Sequence, residues 1–131
     1  MRIEVAKHVV EAMQSAALAA HPHEACGILL GEGEKISGLI TTRNVHSDPE
    51  AHFEIDPQAL IDAHRAARNG DPQVVGYYHS HPVGNAEPSQ TDRSMASGDS
   101  RIWAIVAEGG VKFWQDRPGE FAALSHELVE E

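Results

Sequence analysis

The uninterrupted apolar run Cys26-Gly27-Ile28-Leu29-Leu30 limits the fold more than any other stretch of this chain. A strand with one wet face alternates apolar and polar side chains, so a run with no polar position needs cover on both faces. That suits a strand buried on both faces. The run continues through Gly31-Glu32-Gly33-Glu34 into Lys35–Arg43, which predicts a hairpin. Before it, Arg2–Val5 reads as a strand and Lys7–Ala20 as an amphipathic helix with Val10, Met13 and Ala17 on one stripe, closed by Pro22. After it come a short strand at His52–Ile55 and a helix that starts at Pro57, carries Leu60, Ile61, His64 and Ala67, and ends near Asn69-Gly70. Gln73–His81 reads as a strand, and 89–97 as a helix opened by Pro88 and stopped by Gly98. Ile102–Ala107 and Val111–Gln115 flank Glu108-Gly109-Gly110 as a second hairpin, and Phe121–Val129 forms a last strand after the Arg117-Pro118-Gly119 turn. The expectation is an α/β protein: residues 1–131 as a single domain, with one mixed sheet and flanking helices.

Chemistry concentrates in His79-Ser80-His81-Pro82 and Ser89-Gln90-Thr91-Asp92. Imidazoles at i and i+2 on an extended segment point to the same side. Residues three apart share a helical face, so one strand and one helix can bring His79, His81 and Asp92 to a single metal. Three N/O ligands with a position left open suit catalytic zinc, whereas structural sites close all four positions, usually with thiolates. A chain with 1 cysteine cannot build the thiolate-rich kind. An activated water also needs a base, and Glu24, at the mouth of the apolar run, is the candidate. Each piece has a plainer reading. Ser89-x-x-Asp92 is close to a helix capping box, His-x-His alone is more often surface or hydrogen-bonded histidine, and Glu24 alone would be a loop carboxylate. Conjunction favours the metal. Asp99 is a rival ligand at an unmatched spacing, and the remaining histidines have no matching spacing at all. Cys26 reads as a small buried hydrophobe, with a reactive thiol as the alternative, and Gly84-Asn85-Ala86 as a flexible rim of the cleft or, equally, a plain surface loop.

Glu24 with the Cys26-Gly27 that follows it, His79-x-His81-Pro82 and Ser89-x-x-Asp92 together resemble the JAMM (MPN+) zinc metalloproteases. Asn44, Pro49, Phe53-Glu54-Ile55-Asp56-Pro57 and Gly76-Tyr77-Tyr78 extend the likeness to the small stand-alone prokaryotic type, over roughly residues 1–116. The resemblance implies a cytidine-deaminase-like sheet between helices and one Zn2+ per chain held by His79, His81 and Asp92. It further implies Glu24 as general acid/base and Ser89 as donor to the tetrahedral intermediate. The implied reaction is hydrolysis of a peptide or isopeptide bond after the C-terminal Gly-Gly of a ubiquitin-like or sulfur-carrier protein, whose extended tail could add to a strand edge beside the cleft. Tyr77 stands where the family often has tryptophan, a change in the pocket wall. The competing reading is a non-catalytic MPN-type scaffold that binds a ubiquitin-fold partner. A nucleobase-type zinc deaminase would need two further downstream cysteines, which this chain lacks.

Twenty acidic against ten basic residues give a formal net charge of −10. Nonspecific nucleic-acid binding depends on Lys and Arg neutralising phosphates, so nucleic acid and anionic membranes are not expected partners. No apolar stretch approaches the ~20 residues that span a bilayer. Glu4, Lys7, His8 and Glu11 break up any secretory apolar core, and a lone cysteine agrees with a reducing compartment, so a cytoplasmic location is expected.

Overall fold

A computed structural model describes residues 2–130. In chain order the elements are β1 (Arg2–Ala6), α1 (Lys7–Ala20), β2 (Cys26–Glu32), β3 (Lys35–Thr42), α2 (Pro57–Arg68), β4 (Gln73–Ser80), α3 (Gln90–Met95), β5 (Ile102–Ala107), β6 (Gly110–Arg117) and β7 (Glu120–Val129). The strands lie in the order β1-β3-β2-β4-β5-β6-β7, and β1 pairs with both β3 and β7, so the sheet curls until its two ends meet. Both predicted hairpins form, β2 against β3 and β5 against β6. The parallel β4–β5 pair crosses over through α3. It is a mixed α/β sheet, as expected, although its closure is more complete than a sheet simply layered between helices.

The apolar run behaves as its composition requires. Cys26, Ile28 and Leu29 are all fully buried. Leu29 faces a cluster with Ile3, Val5, Val9, Met13, Tyr78 and Phe113, whereas Cys26 and Ile28 face a second one with Phe53, Ile55, Ala63, Trp103 and Phe121. Helix α1 fills the first cluster and α2 covers the second. Gly27 has no side chain because a Cβ there would run into the Ile40 carbonyl and the Tyr78 ring, which crosses β2 at that point. A register shift between β2 and β4, where Leu29 opposes Gly76 and Leu30 opposes Val74, reverses which face of β4 is which. Beyond it Tyr78 points to the α1 side, and Tyr77 and His79 to the α2 side. The bulge therefore decides on which face the histidines sit.

Several boundaries differ from expectation, each for a local reason. The inward stripe of α1 is Val9 and Met13, with Val10 and Ala17 at its margins. His52–Ile55 makes only a single bridge, Asn44 to Ile55, because the Asn44 side chain takes over the hydrogen bonds that a strand partner would supply. Pro88 precedes the N-cap rather than opening α3, since Ser89 caps it. Helix α3 stops at Met95 because the Asp116 carboxylate accepts from Ser97 N–H and Gly98 N–H, both at 3.0 Å, drawing them off the helix axis. Strand β1 meets β3 at Lys35 and Ile36, so among the described residues β3 has no strand partner on that side from Ser37 to Thr42. No helix among the described residues is long and apolar enough to cross a membrane.

Candidate active site

Strand β4 delivers His79, and His81 follows directly, its N–H still donating to Val106 O of β5 at 2.8 Å. The two Nε2 atoms converge to 3.1 Å. Asp92, in the first turn of α3, closes the group: Oδ1 lies 3.0 Å from His79 Nε2 and Oδ2 lies 3.1 Å from His81 Nε2. Among the described residues this is the group of His, Cys, Asp and Glu side chains able to hold a metal, with all its donor atoms within 4.8 Å of one another. Two neutral imidazole nitrogens and a carboxylate fit a borderline-soft dication with a fourth position open. Asp99 is elsewhere, bound to its neighbour Arg101 through N–H and Nη1. His46 and His52 stack on each other, and His126 lies against Phe113, all outside the group.

The capping box and the metal group turn out to coexist. Asp92 N–H donates to Ser89 Oγ at 3.0 Å while Ser89 N–H donates to Asp92 Oδ2 at 2.9 Å. The cap orients the carboxylate that also faces the histidines, and because Ser89 Oγ serves the helix as an acceptor, its own proton remains available. Burial raises the Asp92 pKa, but hydrogen bonds from His79, His81 and Ser89 N–H outweigh it and hold the group far below the usual carboxylate range. Burial lowers the pKa of His79, which favours the neutral imidazole that metal binding requires. At His81 burial acts in the same direction, yet the bonds to Asp92 and to the Asn85 carbonyl and the nearby negative charges reverse it.

The groups behind His79 and His81 had no role assigned from the sequence. The Phe53 ring stacks on His79, centroids 4.3 Å apart at 15°, and Trp103 meets the same imidazole edge-on at 5.7 Å. His81 Nδ1 lies 2.7 Å from the Asn85 carbonyl. A proton on Nδ1 donated to that oxygen leaves the Nε2 lone pair for a metal, the usual outer-shell arrangement for a ligand histidine. The loop at Gly84-Asn85-Ala86 is anchored at Ala86, which is buried and whose carbonyl accepts from Trp114 Nε1 at 3.1 Å, while Gly84 and Asn85 are exposed. Period-two alternation could have flagged Ser80, which points away from the histidines towards β2. Nothing in a sequence marks a backbone carbonyl such as that of Asn85.

Glu24 comes from a different part of the chain and lines the same cleft of about 200 Å³ as His81, Pro82, Val83, Ser89, Glu50 and Ala51. It is 7% exposed. Burial pushes its carboxyl up to about 7, with His81 opposing and Asp92 and Asp48 adding to the rise. Two distant segments fix its backbone: in one loop Pro49 O accepts from Glu24 N–H at 2.7 Å and Asn44 Nδ2 donates to Glu24 O at 3.0 Å, and in β4 Ser80 Oγ accepts from the next residue's N–H, on Ala25, at 2.8 Å. Cys26 lies beside it with a buried thiol, raised in pKa by burial and in contact with Thr42 and the Arg43 carbonyl.

Residues 6–117 match the family described as prokaryotic homologs of the JAB domain. The desampylase of Haloferax volcanii is 32% identical over 107 residues, spanning 79% of this chain and 77% of that protein. The CysO-cysteine peptidase of Mycobacterium tuberculosis is 33% identical over 101 residues, spanning 76% of this chain and 68% of its own length. Among solved structures, a Desulfitobacterium hafniense protein determined in solution superposes with a TM-score of 0.85 at 26% identity, over 100% of this chain and 94% of the other. The motif in the sequence, the closed sheet that carries it and this span of similarity agree, and the chain belongs to the prokaryotic JAB-domain proteins of the JAMM/MPN family.

Proposed function

We propose that this protein is a zinc-dependent metallopeptidase that hydrolyses a peptide or isopeptide bond after the C-terminal Gly-Gly of a ubiquitin-like or sulfur-carrier protein. The reading treats residues 1–131 as one catalytic domain. The observation that carries it is that a buried, high-pKa carboxyl, Glu24, lines one cleft with His81 and Ser89, and His81 is a member of the convergent group His79, His81 and Asp92. The names of the relatives, a desampylase and a CysO-cysteine peptidase, support the substrate class.

His79, His81 and Asp92 would hold the zinc, which when bound supplies Lewis acidity and makes a coordinated water more acidic. Glu24 then accepts the proton from the attacking water. A carboxyl that titrates near neutrality is suited to both halves of that task, taking the proton and afterwards handing it to the leaving amine nitrogen. Ser89 Oγ donates its free proton to the oxygen that becomes negative as water adds to the carbonyl, the kind of charge that preorganised donors stabilise best. His81 stays fixed in one tautomer through Asn85. The unpaired side of β3, from Ser37 to Thr42, runs towards Asn44, whose side chain holds Glu24, and offers the backbone edge on which an extended tail can add. A chain with net charge −10 selects partners with a neutral or basic surface there.

The test is incubation with ubiquitin-fold carriers extended past Gly-Gly by a reporter amine or a second protein, with and without chelator. Mass spectrometry is expected to show a new C-terminal glycine that chelator abolishes and added zinc restores. Zinc-loaded, folded protein that binds such carriers but leaves every bond intact would favour the non-catalytic scaffold instead.

A further inference from the structure

Resting on that reading of Glu24, the geometry points to Asn44 as the positioning residue of the site, one side chain that sets both the general base and the aromatic backing of a metal ligand. Three carbonyl groups surround its amide nitrogen. Nδ2 donates to Glu24 O at 3.0 Å and to His52 O at 2.9 Å, and lies 3.4 Å from Pro49 O. Two N–H groups surround its oxygen, those of His46 at 3.1 Å and Glu54 at 3.0 Å. Only a carboxamide offers donors at one end and an acceptor at the other, so the partners fix both the residue type and its orientation.

The consequences reach the site from two directions. His52 and Glu54, both held by Asn44, flank Phe53, the ring stacked on His79. Glu24 is gripped at its own carbonyl, while its N–H is bound by Pro49 in the loop that Asn44 closes. That same loop contributes Glu50 and Ala51 to the cleft wall. The network touches the zinc ligands only through the Phe53 ring on His79: His79 and His81 belong to β4 and its exit, Asp92 to α3, and the bonds among them involve no residue of 44–55. Asn44 therefore governs where the base stands without deciding whether the metal binds.

The test is a cycle of four proteins: wild type, Asn44→Asp, Glu24→Gln and the double variant. Aspartate keeps the size and the acceptor for His46 and Glu54 but loses both donors, placing oxygen against the Glu24 and His52 carbonyls. The measurements are kcat and KM on a carrier extended past Gly-Gly, zinc per chain, and thermal melting. With Asn44→Asp, kcat is expected to fall on the order of 100-fold, the cost of a misplaced reacting group, with KM and zinc content unchanged. In the Glu24→Gln background the same change is expected to cost nothing further, because the two residues act as a unit. An equal loss in both backgrounds, or unchanged kcat in a folded Asn44→Asp protein, would overturn the inference while leaving Glu24 as base. Full turnover in Glu24→Gln would remove the reading beneath it. Asn44→Ser, with one shorter donor, is the second variant; failure of both variants to fold would make Asn44 a residue of the fold alone and also overturn the inference.

Discussion

The proposed metal-ligand group and the proposed general base meet at one cleft, lined by His81 and Glu24, but are built in opposite ways. His79, His81 and Asp92 lie within residues 79–92 and orient one another: strand alternation aligns the imidazoles, and a capping box aims the carboxylate. Glu24 has no such local support. It depends on Asn44 and Pro49 of one loop and on Ser80 of β4, two stretches of chain distant from it in sequence. A locally built group tolerates loosening elsewhere in the fold; one assembled from distant segments does not. Metal binding and turnover should therefore be separable by mutation.

The largest expected effect lies on the base side. Glu24→Gln should lower kcat on the order of 1,000-fold, within the usual range for a lost general acid/base, in steady-state assays on a carrier conjugate. A smaller loss, on the order of 100-fold in kcat, is expected for Ser89→Ala, the value typical of one oxyanion donor. That variant also loses the N-cap of α3, costing about 1 kcal/mol, whereas Ser89→Gly as an N-cap should cost only a few tenths. Equal turnover loss in the two variants, with different melting temperatures, would separate the hydroxyl's chemistry from its capping. A kcat loss that tracks the melting temperature would mean that Ser89 serves the helix only.

The pH dependence divides the two regions further. In chelated protein Glu24 titrates at about 7 against 4.5 for the ordinary group. Between those values the folded state keeps a proton that the unfolded state has released, so this group's contribution to stability falls as pH rises from 4.5 towards 7. Denaturant titrations of wild type and Glu24→Gln should show a difference in stability that changes over that window; a constant difference would contradict the burial of Glu24. A bound dication favours the carboxylate, so the acid limb of kcat/KM should lie at or below about 7. The smallest effect concerns Cys26, whose buried, high-pKa thiol should react with iodoacetamide only slowly in the native protein. Rapid labelling would mean that β2 opens next to Glu24.

How much could be read in advance follows the same division. The convergence of His79, His81 and Asp92 was legible because its geometry is local, set by a period of two on a strand and of three or four on a helix. The apolar run Cys26–Leu30 announced a sheet covered on both faces for the same reason, and both hairpins carried glycine-rich turns. Closure of the sheet through β1 was not legible, since two parallel pairings to β3 and β7 leave no pattern in Arg2–Ala6 itself. The bulge at Leu29/Leu30, which decides the face of His79, leaves no pattern either. His52–Ile55 has a strand's composition yet forms one bridge, because a side-chain amide substitutes for the neighbouring strand. Glu24 could be chosen through resemblance, but its supports, Asn44 and Ser80, acquire their roles only when distant segments meet.

Zinc counted per chain by native mass spectrometry in wild type, Asp92→Ala and Glu24→Gln tests the separation of ligands from base most directly. One ion in wild type, none in Asp92→Ala and one in Glu24→Gln is the expected pattern. Loss of the ion from Glu24→Gln, or its retention at full stoichiometry in Asp92→Ala, would contradict it.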